Sequence, residues 1–567
     1  MARPVFKQTN QNQTSMFPYD FDSFVPQTHP VRLINQVIDQ IDISDIISTY
    51  KGGGTSSFHP KMLLKVLIYG YLNNLYSCRN IEKALKENIY FIWLSGQSFP
   101  DFRTINYFRG KRLKDKINNV FAQVVLFLNE NGYVSLEEVF TDGTKIESVA
   151  NRYTFVWKKN VERYKSNLDK KIKVVLNEIE EATYQDHKEL TKKKKKKKDQ
   201  PISSSELADQ IKKINANIKS ARDSKAIRKK VNQLQKEALP KLMEYEEHLE
   251  NLGERNSYSK TDKDATFMRM KEDHLGNGQL KPAYNLQMST ENTFITNFGI
   301  YQNPGDTTTF KDHLNSFYEK FGKYPDRSIA DAGYGSLENY DFLEEKKIEN
   351  FVKFNYFHKE QTPKFKLDIS KVENLYYNEE EDYFVCPMGQ KMRPVNKGNR
   401  LTRTGYEYDV TTYRAVNCQG CPMRGPCHKN AGNREIEMNI KLYRHKIKVR
   451  ETLNSDLGIK LRKRRCCEVE QVFGQIKSNK RFKRLLLRGI PKVNIEIGLL
   501  ALAHNFQKMS SILTGKQGDE IMNLISSVSC QKQGVFIIFY ALLDYQKAKI
   551  RLAKKIPVKL TKYKEAA

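Results

Sequence analysis

The chain has 567 residues, of which 96 are Lys or Arg and 66 are Asp or Glu, so its formal net charge is +30. A chain of this length predicts about two to four domains, and an aromatic content of 11% argues against wholesale disorder. The positive surplus makes a polyanion the leading partner through counterion release, with compositional drift from AT-rich coding as the alternative explanation.

Membrane insertion and secretion are not expected. The longest apolar runs, at residues 497–503 and 535–543, are far shorter than the roughly 20 residues that a membrane span needs. Residues 1–30 are polar and have no apolar signal core. Four of the eight cysteines cluster in one segment and the others are scattered, which indicates a reducing cytosol and not a disulfide framework.

The first part of the chain is predicted to be helical. Residues 1–45 are interpreted as an N-terminal arm that ends in a short helix, and residues 46–130 as a helical domain with apolar residues at three- and four-residue spacing. This domain carries Arg79 and Arg109, which fits a helix-turn-helix-like DNA-binding module. A helical bundle that packs only on its neighbour is the alternative. The helices predicted here include 31–41, 80–87 and 104–126.

A basic insertion is predicted after a strand at 139–146. Residues 158–259 are rich in Lys, Glu, Gln and Leu, and their apolar residues recur at helical spacing. This pattern predicts a long helical hairpin or coiled-coil-like insertion. Residues 192–198, between its two arms, are seven consecutive lysines, which could contact phosphate backbones or serve only as a solvated loop.

Strands and helices alternate in the remaining segments, which predicts an α/β core. A second insertion, residues 355–450, carries the cysteine cluster, and residues 511–567 form a C-terminal tail. The predicted strands are 282–288, 294–301, 328–331 and 350–354, and the predicted helices are 307–321, 337–347, 457–480 and 493–513.

Two aspartates lie where predicted strands could bring acidic side chains together. Asp142 lies within the strand at 139–146 beside a glycine, and Asp331 ends the strand at 328–331. A buried carboxylate is costly unless it binds metal or is paired, and Mg²⁺ prefers oxygen ligands. Two metals about 3.5–4 Å apart can activate an attacking oxygen and stabilise a leaving one. Taken singly, each residue could instead be a turn-forming Asp.

The third acid of such a site is expected on the late helix. Glu468 and Glu470 flank opposite sides of its apolar stripe, so helical periodicity does not distinguish them. Lys477 follows Glu470 by seven residues, about two turns and 10.5 Å along the same face. A carboxylate with a Lys further along its face suits a site where metal and DNA phosphate are adjacent, which favours Glu470.

Four sequence blocks occur in an order that matches one known family. They are DGTKIE (142–147) with NRYTFVW (151–157), DATFM (264–268) with NGQLKPAYNLQ (277–287), DAGYG (331–335), and VEQVFGQIK (469–477). These blocks resemble the motifs of bacterial insertion-sequence transposases of the DDE, RNase H-like class. Residues 59–109 are similar to the helical N-terminal domain of that branch, and the resemblance covers most of residues 50–510.

The resemblance implies an RNase H-like catalytic core formed by residues 131–157, 260–354 and 451–510. Within it, Asp142, Asp331 and Glu470 are expected to be catalytic and to hold two Mg²⁺ ions, for which Mn²⁺ can substitute. The implied reaction is cleavage of the element's ends followed by strand transfer into target DNA.

The resemblance also implies DNA contacts and partners. Transposon ends and target DNA are the expected ligands, a homodimer is the expected active complex, and the bacterial cytoplasm, in association with the nucleoid, is the expected location. The residues expected to contact DNA are Lys477, Arg465, Lys145, Arg79 and Arg109.

The sequence departs from the family's signature before the glutamate. The family has an Arg four residues before the Glu and a Tyr seven before it, but these positions are Cys466 and Lys463 here. Arg465 or Arg462 is the expected substitute. Tyr153 and Trp157 are expected to pack in the core, with stacking on a flipped or frayed base as the alternative.

The cysteine cluster predicts either a structural zinc site or a set of reduced thiols. Cys418 and Cys421 form a C-x₂-C pair, which Cys386 and either Cys427 or His428 could complete to a tetrahedral set. The ligand set taken forward is Cys386, Cys418, Cys421 and Cys427. Cys466 and Cys467 are expected to pack within their helix.

Three other functions remain open at the level of sequence. A nuclease of the same fold would need the same three acids but would not rejoin DNA ends. A non-catalytic DNA-binding protein derived from a transposase would tolerate loss of an acid, and the intact Asp142, Asp331 and Glu470 count against it. A basic scaffold or RNA-binding protein would account for the charge but not for the acidic motifs.

Overall fold

The computed structural model describes residues 20–51, 56–184, 201–217, 224–270, 278–402 and 404–514. The lysine run at 192–198 and the chain beyond residue 514 lie outside these residues. Within the described ranges, no helix combines the length and the apolar character needed to cross a bilayer.

Helices and strands occur in groups along the described parts of the chain, beginning with seven α-helices. The helices are α1 (Pro30–Gln40), α2 (Ser44–Ile47), α3 (Pro60–Leu72), α4 (Cys78–Glu87), α5 (Ile89–Leu94), α6 (Phe102–Tyr107), α7 (Ile117–Glu130), α8 (Lys158–Tyr184), α9 (Ser204–Asn217), α10 (Ser224–Gln233), α11 (Leu239–Leu252), α12 (Phe310–Phe321), α13 (Leu337–Glu345), α14 (Phe357–Glu360), α15 (Pro363–Lys366), α16 (Arg424–Cys427), α17 (Ile440–Asn454), α18 (Asp456–Gly474) and α19 (Ile490–Leu513). The strands are β1 (Glu138–Glu147), β2 (Phe155–Trp157), β3 (Ser257–Ser259), β4 (Thr266–Arg269), β5 (Leu280–Glu291), β6 (Phe294–Tyr301), β7 (Arg327–Ala330), β8 (Glu349–Val352), β9 (Tyr376–Asn378), β10 (Tyr383–Val385), β11 (Lys391–Leu401), β12 (Glu407–Arg414) and β13 (Glu435–Met438).

The helical N-terminal domain begins earlier than the sequence analysis predicts. α1 and α3 start alike, because a histidine side chain accepts a bond from the first turn and a proline occupies the first helical position. α1 buries its apolar face against α3, so residues 30–47 are part of this domain and not of an arm. The helix predicted at 104–126 is divided, because a π-helical turn at Phe108–Arg112 separates α6 from α7.

A mixed sheet forms the centre of the molecule. Its strand order is β4–β5–β1–β7–β8, and β6 also pairs with β5. β5 is antiparallel to β1, β4 and β6, whereas β1, β7 and β8 are parallel to one another. The carboxyl ends of the three parallel strands therefore meet at one edge of the sheet.

α19 joins the helical domain to the sheet. It packs against α3 and α7 on one side and against β6 on the other. The approach to α7 is close, because a Cβ added at Gly498 would lie 2.5 Å from Ile117 Cγ1. One continuous hydrophobic core therefore extends from Val25 to Leu513 through both parts.

The predicted helical hairpin is four helices in the described residues. α8, α9, α10 and α11 enclose a core of their own, separate from the main core. This helical insertion is attached through the antiparallel pair of β2 and β3, where Trp157 is opposite Ser257.

The second insertion contains a five-stranded antiparallel sheet in the order β13–β12–β11–β10–β9. It then returns to the central sheet through α17, which packs on β8 and on α18. The long helix predicted at 457–480 is α18 followed by a π-helical turn at Gln475–Asn479, because the helix changes its hydrogen-bond spacing after Gly474.

Candidate functional site

Asp142 and Asp331 lie side by side at the carboxyl edge of the central sheet. β1 and β7 are parallel, and their last paired residues are Thr141 and Ala330. Asp142 follows Thr141 and Asp331 follows Ala330. The backbones of the two aspartates are therefore about one strand spacing, ~4.8 Å, apart. Residues in register on adjacent strands project to the same face, so both carboxylates belong to the face on which α18 packs.

Arg465 on α18 links two of the three predicted acids. Its Nη1 lies 3.6 Å from Asp142 Oδ2, and its Nη2 lies 3.5 Å from Glu470 Oε1. The side chain of Asp142 is 9% exposed, that of Arg465 10% and that of Glu470 52%. One largely buried guanidinium therefore lies between a buried and an exposed carboxylate.

Glu468 has a different role from Glu470. Its carboxylate is buried and accepts hydrogen bonds from Arg464 Nε at 2.8 Å and from the backbone N–H of Thr293 at 2.6 Å. These contacts fasten α18 to the turn between β5 and β6. Glu470 is the glutamate that shares Arg465 with Asp142, which supports the choice that the spacing to Lys477 favours.

Tyr334 lies among the acidic side chains. Asp331 Oδ1 accepts the Gly333 N–H at 2.8 Å and so starts the 3₁₀ turn that carries this tyrosine. Burial raises the pKa of Tyr334, and the carboxylates of Asp306, Asp142 and Asp331 raise it further, while Arg465 lowers it. The phenol is therefore protonated near neutral pH, and it donates a hydrogen bond to Gln287 Oε1.

Asp306 is an acidic residue near the site that the sequence analysis missed. Its Oδ1 accepts hydrogen bonds from Asn285 Nδ2 at 2.8 Å and from Gln287 Nε2 at 2.9 Å. It lies against Gly143, because a Cβ at Gly143 would be 2.7 Å from the same oxygen. Asp306 precedes α12 in a turn-like stretch, and only the polar side chains on β5 could have indicated that it reaches the sheet.

Positively charged groups surround the Asp331 side of the site. Burial lowers the pKa of Lys353, Arg465 and Arg462 lower it further, and Asp331 opposes them, so these groups lie near one another. Within the described part of the chain, three buried guanidinium nitrogens make no hydrogen bond: Arg465 Nε, Arg465 Nη1, which lies only at ion-pair distance from Asp142, and Arg462 Nε. Because unpaired buried donors are costly, this arrangement suits an incoming anion.

The other residues predicted to contact DNA lie on different elements. Arg79 is exposed on α4, Lys145 is half-buried on β1, and Lys477 is half-buried in the π-helical turn after α18. Because that turn does not keep the α-helical period, the expected alignment of Lys477 with Glu470 on one face is altered. Arg109 is buried, and its guanidinium donates to Tyr76 O at 2.8 Å, so the prediction that it contacts DNA is wrong.

Of the residues expected to pack, Trp157 does so, whereas Tyr153 and the pair Cys466 and Cys467 are exposed. Tyr153 is 81% exposed in the loop after β1, which leaves stacking on DNA as the remaining interpretation. Trp157 does pack, with its ring centroid 6.0 Å from that of Phe267. Cys466 and Cys467 are exposed on α18 and are not packed.

The four clustered cysteines line one small cavity. Cys386 lies in the turn between β10 and β11, whereas Cys418, Cys421 and Cys427 follow β12. His428 lines the same cavity. The structure therefore brings together residues that are 42 positions apart, from 386 to 428.

A further group of donor atoms lies outside the predicted acids. Asp341, Glu344 and His445 place one donor atom each within 4.8 Å of the others, where α13 meets α17. Lys441 pairs with Asp341 at 2.8 Å and Lys448 pairs with Glu344 at 2.8 Å. These carboxylates are already neutralised, so the group is best described as an ion-pair network between two helices.

The predicted acids have a wider spacing. Among the described residues, Asp142, Asp331 and Glu470 do not form a group whose donor atoms all lie within 4.8 Å. The three carboxylates are therefore farther apart than donor atoms that share one metal ion. Their oxygen donors are of the type that Mg²⁺ prefers, and Arg465 supplies positive charge between Asp142 and Glu470. The residues therefore fit a magnesium site.

Comparisons with known proteins identify two domains. The family described as "Transposase domain (DUF772)" matches residues 19–111. The family described as "Transposase DDE domain" matches residues 385–510, which include α18 and Glu470. No curated protein matches the chain.

Proposed function

We propose that this chain binds the ends of its own element, cleaves the DNA there and joins the freed ends to target DNA. The proposal starts from its two domain matches, by which the chain belongs to the insertion-sequence transposases of the DDE class. The observation that carries this proposal is the convergence of acidic residues from β1, β7 and α18. Asp142 and Asp331 are in register on parallel strands, and Arg465 connects Asp142 to Glu470.

The catalytic core is proposed to be RNase H-like. The order β6–β5–β1–β7–β8, with antiparallel pairs on one side of β1 and parallel pairs on the other, supports this fold. α18 would close the core over the carboxyl edge of β1 and β7. The two insertions would then be additions to that core.

Asp142, Asp331 and Glu470 would hold Mg²⁺, or Mn²⁺ in its place. When bound, the metal supplies activation of the attacking oxygen and stabilisation of the leaving oxygen of the phosphodiester. The chain's contribution is to hold three carboxylates at that edge of the sheet and to limit the number of waters that reach Asp142, which is 6% exposed.

Arg465, Arg462 and Lys353 would bind the phosphate that reacts. Arg465 holds its two carboxylates at long range, 3.6 and 3.5 Å. Its Nε and Nη1 make no hydrogen bond within the described residues, so they can turn to phosphate oxygens. In the first step, water attacks the phosphodiester at the element's end, and a 3′-hydroxyl leaves. In the second step, that hydroxyl attacks a target phosphodiester in line, and a target 3′-oxygen leaves.

DNA recognition would use surfaces outside the acidic site. Arg79 on the helical domain and Lys145 and Lys477 near the core are the proposed contacts, together with the exposed ring of Tyr153. Because two ends must be joined together, the active complex is proposed to be at least a homodimer, at work in the bacterial cytoplasm at the nucleoid. Gel filtration with paired-end DNA that yields only monomers on single ends would count against the dimer.

The proposal is tested with the DNA that flanks the gene. A plasmid that carries the gene and its flanks is incubated with the full-length protein in Mg²⁺ or Ca²⁺, and the breaks are mapped. We expect Mg²⁺-dependent breaks with free 3′-hydroxyls at defined flanking positions, followed by joining to a second plasmid. Asp142→Ala, Asp331→Ala and Glu470→Gln should each abolish cleavage.

Glu451→Gln, an exposed carboxylate on α17, is the matched control and should cleave normally. If Glu470→Gln still cleaves and a folded Glu468→Gln does not, the ligand is Glu468. Cleavage without any joining would favour a nuclease of the same fold. Binding of the flanks without cleavage would favour a non-catalytic DNA-binding protein.

A further inference from the structure

The thiols of the cysteine cluster are held by hydrogen bonds that point at sulfur. The Gln390 N–H donates to Cys386 Sγ at 3.3 Å, and the Arg434 N–H donates to Cys418 Sγ at 3.3 Å. Arg434 Nη1 donates to Cys427 Sγ at 2.8 Å. Hydrogen bonds of this kind stabilise thiolates, and outer donors around a metal's ligands are a usual feature of metal sites.

Two tight turns present these thiols. Gly389 adopts φ +78° after Cys386, and its N–H donates to Cys386 O at 2.8 Å. Gly420 adopts φ +71° between Cys418 and Cys421. Residues with a side chain rarely adopt such backbone angles. Gly389 therefore permits the turn that brings the Gln390 N–H to Cys386 Sγ, and Gly420 permits the turn that brings the Cys421 N–H to Cys418 O.

The cavity between the thiols has the size of one ion. Its volume is about 20 Å³, close to that of a single water-sized sphere. Both ring nitrogens of His428 are buried there and have no hydrogen-bond partner among the residues that the structure describes. An empty apolar cavity would be lined by hydrocarbon side chains. This small cavity is lined instead by four sulfur donors and by an imidazole whose nitrogens lack hydrogen bonds.

The surrounding unit has only a small core of its own. The core of the five-stranded sheet has seven buried apolar residues, and Cys418 is one of them. Small units with such cores usually need a disulfide or a structural metal. The cluster sits where the turn after β10 must be fastened to the loop after β12.

We propose that Cys386, Cys418, Cys421 and Cys427 bind one structural Zn²⁺ that fastens these two loops. The four thiolates would give a charge of −2 around the ion, and the buried guanidinium of Arg434 would offset part of it. The ligands must draw together on binding, because in the described residues no three of these sulfurs lie within 4.8 Å of one another, and Zn–S bonds are about 2.3 Å long. This inference does not depend on the proposed function.

The test measures zinc per chain in the full-length protein, purified without a metal-binding tag. We expect one equivalent in the wild type and in Cys466→Ser/Cys467→Ser, which removes two exposed thiols as the matched control. Cys418→Ser/Cys421→Ser should contain none. Because that variant could fail to fold, Co²⁺ is also substituted into the wild type, where thiolate-to-cobalt charge-transfer bands and tetrahedral d–d bands are expected.

Several results would overturn the proposal. Wild type without zinc and without cobalt bands excludes the site, as does a full equivalent of zinc in Cys418→Ser/Cys421→Ser. Disulfides among the four cysteines, detected by mass spectrometry of alkylated protein, would replace the metal. His428→Asn should retain zinc, and loss of zinc from a folded His428→Asn would overturn the four-cysteine ligand set.

Discussion

Arg465 keeps two acidic side chains from repelling each other across the site. Arg465→Met is expected to raise the affinity for Mn²⁺, because a competing cation is removed from Asp142 and Glu470. The same change should slow DNA cleavage at least about tenfold, because a charge-assisted contact to phosphate contributes roughly 1.5–3 kcal/mol. Calorimetric titration of Mn²⁺ and the rate of plasmid cleavage measure the two effects.

Arg465→Lys separates charge from geometry, because a lysine keeps the charge but loses the planar fork. It should cleave faster than Arg465→Met and slower than the wild type. Arg400→Met, an exposed residue on β11, is the control and should leave both quantities unchanged. If Arg465→Met binds Mn²⁺ no more tightly than the wild type does, Arg465 does not compete with the metal for the carboxylates.

Gly143 is the second residue on which the site depends. A Cβ there would lie 2.7 Å from Asp306 Oδ1 and would also meet the amide of Gln287. Gly143→Ala is therefore expected to lower the free energy of unfolding by about 1–3 kcal/mol. Gly474→Ala, where an added Cβ has no atom within 4 Å, should instead stabilise α18 slightly. Urea denaturation of both variants checks the difference, and equal effects would contradict it.

Charge and spacing predicted some of these residues and not others. Asp142 and Asp331 could be proposed because acids in apolar strands are uncommon without a reason. Glu470 could be proposed only from its spacing to Lys477 on the helix. Arg109 was misjudged because its charge gives no sign that Tyr71 and Tyr76 enclose it. Asp306 was missed because its partners on β5 lie about 20 residues earlier in the chain, and only the folded sheet brings them together.

At the scale of elements, five strands of the central sheet were predicted from the sequence, whereas β2–β4 and the strands of the second insertion were not. β1 was expected at 139–146 and spans Glu138–Glu147, because a short buried strand has a clear apolar pattern. The helical insertion was expected as a hairpin of two arms. Periodicity gives an apolar stripe to each of α8–α11 but does not reveal where one helix ends and the next begins, so their packing around a common core was not predictable.

α19 carries a buried histidine that makes the fold sensitive to acid. His504 Nε2 bonds to Thr293 O at 2.9 Å, and burial lowers the pKa of His504 from 6.5 to about 4. Between those values the unfolded chain binds the proton more readily, so the free energy of unfolding should fall as the pH drops from about 6.5 to about 4. Above about pH 6.5 this histidine should contribute no pH dependence.

His504→Gln removes the titrating group and retains a donor for Thr293 O. Its free energy of unfolding should therefore vary less over the same range when it is measured by urea denaturation at several pH values. Some dependence will remain, because burial also lowers the pKa of His313 to about 3. A slope equal to that of the wild type would show that His504 is not held neutral.

The whole molecule divides by its hydrophobic cores and not by the order of the sequence. The helical domain and the central sheet share one core through α19, so we expect them to unfold together. The helical insertion has its own core and a narrow attachment, so it can unfold separately. Its basic residues can then serve DNA binding without supporting the acidic site.

Removal of the helical insertion tests this division. Tyr164 and Tyr245 stack with ring centroids 6.5 Å apart where α8 runs beside α11, so a short Gly-Ser loop can join residue 166 to residue 244. The stubs that remain still cover Val156 and Tyr258 of the attaching strands.

We expect the shortened protein to keep the main unfolding transition within a few degrees, as measured by calorimetry, and to lose any separate transition of the insertion. Its affinity for flanking DNA should fall and depend less on salt, because basic groups are lost. Collapse of the main transition would show that the insertion supports the shared core, and unchanged DNA affinity would show that its positive charge has no part in binding.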